Sequence, residues 1–292
     1  MERAEVTFPS GDGHCQAWLY SPGEAPAGSC VVMAHGFSLT RHDGLEQYAE
    51  RLAAAGVAVL VFDHRYLGDS PGEPRQHFSK REQMRDWRAA VAWARSHAGV
   101  DQGRVVVWGF SFSGGHAIET AAADPAIAAV IALCQLVDGL ARALATPPSV
   151  SVRLLPLALA DLMGRHRLVP VTGAPGEFAA MTLAGEADGF RAVVPEGSPW
   201  RNEISPGVFA TVALHRPIAR ARRLRAPVWV GLGEGDVSVS RRAVERFAGR
   251  VPTGELHRYP GDHFAPFLGE LPDRVAGDQI SFLARHGLLA GA

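Results

Sequence analysis

One segment, residues 105–115, constrains the fold of this chain more than any other. It reads Val-Val-Val-Trp-Gly-Phe-Ser-Phe-Ser-Gly-Gly, so an apolar, β-branched stretch ends among small residues around Ser111. β-Branched residues favour strands, and small residues around a serine permit a sharp turn from a strand into a helix. A serine at the apex of such a turn exposes its hydroxyl and has free backbone amides beside it. The segment therefore predicts a strand, a tight turn and a helix, with Ser111 as a nucleophile.

The match to the pattern Gly-x-Ser-x-Gly is incomplete, because Ser113 occupies the fifth position. In a second register Ser113 itself is the nucleophile, between Ser111 and Gly115. Gly109, however, directly follows the apolar core of the strand, where the more crowded flank of the turn belongs. Ser113 is also small enough for the other flank. We therefore favour Ser111.

Length and composition limit the class of protein. The chain has 292 residues, of which 47% are hydrophobic, and its formal net charge is −1. That size permits one large α/β domain with an insertion. Charges of both signs are mixed along the chain, so we expect no nucleic-acid partner and no membrane. The sequence leaves open whether the chain acts alone or as a homodimer.

The cysteines and the first residues of the chain predict its compartment. The three cysteines, Cys15, Cys30 and Cys134, are far apart, which is typical of free thiols in a cytoplasmic protein. The charged residues after Met1 lack the apolar core of a signal peptide, and no apolar run reaches membrane-spanning length. No cysteine and histidine spacing resembles a zinc site, so we expect neither a metal nor a cofactor.

Short apolar runs alternate with helical patterns along most of the chain, which predicts a mostly parallel sheet covered by helices. The predicted strands are 30–34, 57–62, 105–108, 127–132, 228–232 and 255–259, after an N-terminal hairpin of 5–8 and 16–20. The predicted helices are 45–55, 81–97, 116–123 and 274–285. This alternation stops at residues 139–205, which contain many prolines. Helical patterns within this stretch cover 152–163 and 175–183. We interpret 139–205 as an inserted lid, and 1–138 with 206–292 as the α/β core domain.

A serine nucleophile needs a base, and His263 is the best candidate. It follows the last predicted strand in a short loop that contains Gly261, so its imidazole can reach the edge of the sheet where the strands end. His257 lies inside that strand and His286 at the end of the closing helix, and both fit less well.

The base needs an acid to orient it, and Asp236 follows the strand 228–232 in a glycine-rich loop. Its neighbour Glu234 and the more distant Asp138, which follows the strand 127–132, are alternatives. Turn formation is the other common use of an aspartate in such a loop.

An oxyanion hole needs two N–H donors, which we expect from Phe112, directly after the serine, and from Phe37, after the turn at His35 and Gly36. Four residues are candidates for the walls of the substrate pocket. Gln135 and Asp138 lie near a strand end, and Trp200 and Phe264 are large aromatic side chains, which are otherwise typical of a core.

The order Ser111, Asp236, His263, with the segments 33–37 and 63–70 (Asp-His-Arg-Tyr-Leu-Gly-Asp-Ser), resembles the α/β-hydrolase superfamily. The resemblance covers nearly the whole chain. Within that superfamily the chain resembles bacterial serine esterases related to dienelactone hydrolases and to S15 peptidases. The resemblance implies the α/β-hydrolase fold, with Ser111 as nucleophile, Asp236 as acid and His263 as base. It does not identify the substrate, because this fold hosts many chemistries.

The sequence thus predicts a cofactor-independent serine hydrolase that acts on a small, mostly apolar ester or thioester. The same residues are compatible with acyl transfer or cyclisation, with a cofactor-free lyase or isomerase, and with a peptidase. A binding protein with a vestigial triad is the non-catalytic alternative, although no member of the triad is missing.

Overall fold

The computed structural model describes residues 1–23, 28–97, 99 and 101–290. Within these residues the strands are β1 Glu2–Ser10, β2 Gly13–Ser21, β3 Cys30–Ala34, β4 Ala58–Phe62, β5 Val105–Phe110, β6 Ile127–Leu133, β7 Val228–Gly233 and β8 Gly254–Tyr259. They form one sheet in the order β1-β2-β4-β3-β5-β6-β7-β8. The pairs β1/β2 and β2/β4 are antiparallel. All remaining neighbours are parallel, so β3 to β8 end at the same edge.

Helices follow most strands of the sheet. They are α1 Glu46–Ala54, α2 Lys80–His97, α3 Ser111–Ala123, α4 Gly139–Ala145, α5 Pro148–Leu162, α6 Glu186–Val193, α7 Arg241–Ala248 and α8 Leu271–Arg285. Every residue of β3, β4, β5 and β7 is buried. Parallel strands reach that state only when both faces of their sheet are covered. In the described part of the chain, no helix combines the length and the apolar character needed to cross a bilayer.

The predicted α/β class and the mostly parallel sheet are confirmed. The predicted strands all form, and the hairpin strands are longer than expected because β1 and β2 pair along their whole length. The structure also contains α4 and α7, which the sequence analysis did not predict.

The helix predicted at 175–183 is wrong. This stretch consists of turns, and the helix starts only at Glu186. Gly176 has a φ of +94°, a left-handed conformation that an α-helix does not contain. The Glu177 carboxylate accepts a hydrogen bond of 2.7 Å from the Ala174 amide, which closes a local turn instead. Met181 then pairs with Thr172 in an isolated bridge.

The helices α4, α5 and α6 all lie in the long connection between β6 and β7. In α6, the Phe190 ring lies 5.1 Å from that of Phe264, which follows β8. Gly207, in a short 3-10 helix, Pro206–Ala210, donates a hydrogen bond to Asp161 of α5. The first contact packs the connection on the core, and the second holds two parts of the connection together.

Two glycine substitutions test how tightly the turn after β5 is packed. A Cβ on Gly109 would lie 2.2 Å from the Ser113 carbonyl oxygen, a backbone atom that cannot move away on its own. A Cβ on Gly277, exposed within α8, would meet nothing within 4 Å. We expect Gly109→Ala to lower the free energy of unfolding by about 3 kcal/mol or to abolish folding. Gly277→Ala should raise it by about 0.5–1 kcal/mol. Urea unfolding measures both, and equal stability of the two variants would contradict the packing described.

Candidate active site

Ser111 lies at the point where β5 ends and α3 begins. Its φ of +54° is a left-handed conformation that is rare outside glycine and asparagine and is typical of a strained turn. Crowding holds it there, because added Cβ atoms on Gly36 and Gly114 would lie 2.8 Å from Ser111 Cβ and 2.5 Å from Gln135 Cβ. The sequence pattern therefore predicted the turn correctly.

His263 and Asp236 lie within hydrogen-bond distance in the order that the sequence predicts. His263 Nε2 is 3.0 Å from Ser111 Oγ, and His263 Nδ1 is 2.7 Å from Asp236 Oδ2. The other Asp236 oxygen accepts hydrogen bonds of 2.8 and 3.0 Å from the amides of Ser238 and Val239. The aspartate and the histidine are both buried. Charge-assisted hydrogen bonds inside a protein orient the imidazole, so Nδ1 carries a proton and Nε2 faces the serine.

The alternative residues face elsewhere. Ser113 is buried, and its hydroxyl is 3.4 Å from Nε2 of His64 rather than near His263. Glu234 is exposed. Asp138 caps α4 through the Ala141 amide and pairs with Arg216 at 3.2 Å.

The two expected oxyanion donors lie in the segments on either side of Ser111. Phe112 is in the first turn of α3, where the helix itself offers no acceptor for a backbone amide. Phe37 follows β3, directly after Gly36, which touches the serine. His35 fixes this turn: its Nδ1 accepts from the Gly36 amide at 2.8 Å, and its Nε2 is 2.8 Å from the Asp43 carbonyl. Burial lowers the pKa of His35 to about 3, so the ring stays neutral and keeps both bonds.

A narrow cavity starts at Ser111 and holds about 60 Å³. Most of the side chains around it are apolar, and they are Phe37, Phe112, Leu136, Ala143, Ala180, Met181, Val208, Phe209, Val212 and Val239. Arg142 also lines it and pairs with the fully buried Glu186 at 3.1 Å. Glu186 accepts a further hydrogen bond of 2.8 Å from Ser238, two residues beyond Asp236. This bond ties the loop that carries the acid to α4 and α6.

The four residues predicted to wall the substrate pocket are not among the described residues around this cavity. Gln135 is fully buried against Gly114, and Asp138 has the structural role given above. The Trp200 indole donates to Ser38 Oγ at 3.1 Å. Phe264 packs against the His263 ring, 5.1 Å away, and therefore supports the base instead.

Three buried histidines near Phe112 were not predicted. The ring of His215 stacks on that of Phe112 at 4.7 Å, and the ring of His116 is 5.0 Å from it. His64 is linked to Asp86 at 3.3 Å, and Asp86 also binds Arg65 at 2.7 Å. Burial lowers the pKa of both His116 and His215. Only the sequence segment 63–70 pointed to this region, and it gave no sign of His116 or His215.

Cys134 is a further residue that the sequence did not connect with the site. Its Sγ, an Asp236 oxygen and a His263 nitrogen lie within 4.8 Å of one another. Burial raises the pKa of the Cys134 thiol well above its usual value. A protonated thiol is a poor metal ligand, and both partners are already bonded in the chain from Ser111 to Asp236.

A helix starts at a strained serine after a central parallel strand, an aspartate follows β7, and a histidine follows β8. This arrangement defines the α/β-hydrolase class. The sequence pattern of the family described as X-Pro dipeptidyl-peptidase (S15 family) matches residues 15–265. The chain belongs to this family.

Relatives extend the comparison to nearly the full length. The chain is 38% identical to the quorum-quenching protein AidA of Acinetobacter baumannii, over 96% of this chain and 94% of that protein. It is 36% identical to the thiohydrolase aneE of Aspergillus aculeatus, over 99% and 94% of the two chains. The crystal structure of the alpha/beta hydrolase GrgF from Penicillium sp. sh18 has the same fold, with a TM-score of 0.84 over 98% and 99% of the chains at 24% identity.

The buried histidines predict that the protein loses stability in acid. His35, His116 and His215 have lowered pKa values, so below about pH 6.5 the unfolded chain binds protons that the folded one does not. The free energy of unfolding should therefore fall as the pH decreases from about 6.5. Neither ring nitrogen of His116 has a hydrogen-bond partner in the part of the chain that the structure describes, so His116→Leu removes a proton site without breaking one of the observed bonds. We expect this variant to flatten the pH slope by up to one proton, about 1.4 kcal/mol per pH unit, in urea unfolding. A slope unchanged from that of the wild type would refute this account.

Proposed function

We propose that this protein is a serine hydrolase that cleaves a carboxylic ester or thioester through an acyl-enzyme on Ser111. The observation that carries the proposal is the hydrogen-bonded chain from Ser111 to His263 at 3.0 Å and from His263 to Asp236 at 2.7 Å. A serine hydroxyl becomes a useful nucleophile when a base is positioned to take its proton. The relative named as a thiohydrolase supports the thioester.

In the proposed reaction, His263 takes the proton of Ser111 as Oγ attacks the carbonyl carbon of the substrate. The amides of Phe37 and Phe112 donate to the oxyanion, and Asp236 stabilises the charged imidazole. His263 then gives the proton to the leaving alcohol or thiol, and the acyl-enzyme forms. Water, activated by the same histidine, releases the acid and restores the serine.

The cavity favours an apolar acyl or alcohol group in the substrate. Its apolar side chains gain free energy by covering such a group, and a charged group would lose its hydration there. A volume of about 60 Å³ is far below the several hundred Å³ usual for ligand pockets. We therefore propose that residues 139–205 act as a lid that must open, because α4 and the segment around Met181 form part of the cavity wall.

Acyl transfer to a second small molecule is the alternative that the cavity also favours. An acyl-enzyme lives longer when water is excluded, and the apolar side chains of the narrow cavity favour that effect. Some relatives that match about half of the chain are named polyketide transferase. One is grgF of Penicillium sp., which is 29% identical over 56% of this chain. The product distribution in the presence of an added alcohol distinguishes transfer from hydrolysis.

The two serines of the turn provide a matched pair of variants. We expect Ser111→Ala to lower kcat/KM for p-nitrophenyl butyrate by at least about 10³-fold, because it removes the atom that forms the acyl-enzyme. It should also abolish labelling by a fluorophosphonate. Ser113→Ala should retain labelling and remain within about tenfold of the wild type, since its hydroxyl faces His64. Labelling that survives Ser111→Ala and is lost in Ser113→Ala would reverse the assignment. No labelling of the wild type would favour a binding protein or a lyase.

A substrate panel tests the class of bond that is cleaved. We expect nitrophenyl esters and acyl thioesters with apolar chains of about four to eight carbons to react faster than acetyl ones, because longer chains bury more apolar surface. An X-Pro nitroanilide should react more slowly than any of these, because an amine is a poorer leaving group than an alcohol or thiol. If the nitroanilide is the best substrate, the protein is a peptidase and the proposed ester chemistry is wrong.

A further inference from the structure

A second cluster of polar side chains lies outside the triad and takes no part in the proposed reaction. His77 is in the loop before α2, Asp161 is in the last turn of α5, and His166 follows that helix. One nitrogen or oxygen atom from each of the three lies within 4.8 Å of the others. The His77 and His166 rings are 5.7 Å apart. Two imidazoles and a carboxylate are a ligand set typical of a divalent transition metal.

The backbone brings His166 back beneath the end of α5. Gly164 has a φ of +83°, and the Arg165 amide donates to the Ala160 carbonyl at 2.9 Å, so the chain reverses direction at once. His166 Nδ1 then lies 2.8 Å from Asp161 Oδ1. Asp161 is buried, and its second oxygen accepts a hydrogen bond of 3.0 Å from the Gly207 amide. A carboxylate fixed in this way by a neighbouring donor resembles the oriented ligands of metal sites.

His77 carries the unexplained part of the cluster. Its Nδ1 is buried and has no hydrogen-bond partner among the described residues. A buried polar atom without a partner is unfavourable, and each such atom in a folded protein needs a reason. The bond between His166 and Asp161 satisfies those two side chains, but it leaves His77 unsatisfied. A cation bound by all three would supply the missing partner.

The geometry points to a Zn²⁺ site formed by His77, Asp161 and His166. Zinc takes nitrogen ligands at about 2.0–2.1 Å and carboxylate oxygen at about 2.0–2.2 Å in a tetrahedral arrangement. Small movements would bring the three side chains to those distances. All three, together with Gly207, line a cleft of about 660 Å³ that opens to solvent, from which water can fill the fourth position. This site is separate from the proposed hydrolase chemistry and does not depend on it.

The ion would add a link between two parts of the chain that already meet through hydrogen bonds of 2.9 Å between Ser205 and its partners Gln76 and Phe78. Asp161 and His166 belong to the segment 139–205, whereas His77 belongs to the loop after β4. Zinc would therefore fix the far end of α5 to the core domain. A metal that binds only the folded state also stabilises that state by mass action.

The test is a zinc titration of the full chain after removal of any histidine tag. We expect isothermal titration calorimetry to give one Zn²⁺ per chain and thermal unfolding to show a rise in Tm of several degrees with zinc. His166→Ala, at a partly exposed position, should fold normally and lose both effects. His77→Phe, which keeps an aromatic ring beside Tyr66, should do the same. His14→Ala, at an exposed position of β2, is the control and should behave like the wild type.

Each result has a definite meaning. Binding that disappears in His166→Ala and His77→Phe but persists in His14→Ala supports the site. Binding of equal affinity in all variants places zinc elsewhere on the protein and overturns the proposal. The absence of binding to the wild type at 100-fold molar excess of Zn²⁺ overturns it as well. Ester turnover by the two variants without zinc should equal that of the wild type.

Discussion

The strained conformation of Ser111 is the constraint on which the rest of the site depends. A non-glycine residue with a φ of +54° is costly, and it persists only where the surroundings leave it no alternative. Here those surroundings are close contacts at two glycines: a Cβ on Gly109 would meet the backbone of Ser113, and a Cβ on Gly36 would meet Ser111 Cβ. The same contacts bring the segment after β3 against the start of α3. The strained turn therefore places the hydroxyl between the two segments whose Phe37 and Phe112 amides we propose as oxyanion donors.

The buried polar groups around Ser111 place the Asp236 carboxylate next to the imidazole of His263, on the side away from the serine. Asp236 is held by two backbone amides and by His263, and His35 is kept neutral by burial. A charged imidazole at position 35 would oppose the charge that develops on His263 during the reaction. A neutral His35 therefore adds no charge to the electrostatic field at His263. Its lowered pKa also makes the folded state less stable in acid.

Segment 139–205, the proposed lid, is connected to the loop of Asp236 through the buried carboxylate of Glu186. Glu186 of α6 binds both Arg142 of α4 and Ser238 in the loop of the acid. A buried charge that loses its partner is strongly destabilised, so both contacts hold α6 in place. Opening of the proposed lid would therefore act on the loop of Asp236 through Glu186.

The sequence by itself determined the fold class, the turn at Ser111 and the identity of the residues at the strand ends. These features are local: alternation of strands and helices, glycines at a crowded turn, and polar residues directly after apolar runs each leave a pattern in a short stretch. The ends of parallel strands meet at one edge, so local position was enough to bring Ser111, Asp236 and His263 together. Only the tertiary structure decided the walls of the cavity and the partners of Ser113, His77 and Glu186. The neighbours of these residues lie far away in the sequence: His64 for Ser113, Asp161 and His166 for His77, and Arg142 and Ser238 for Glu186. No local pattern records which side chains packing brings into contact over such separations.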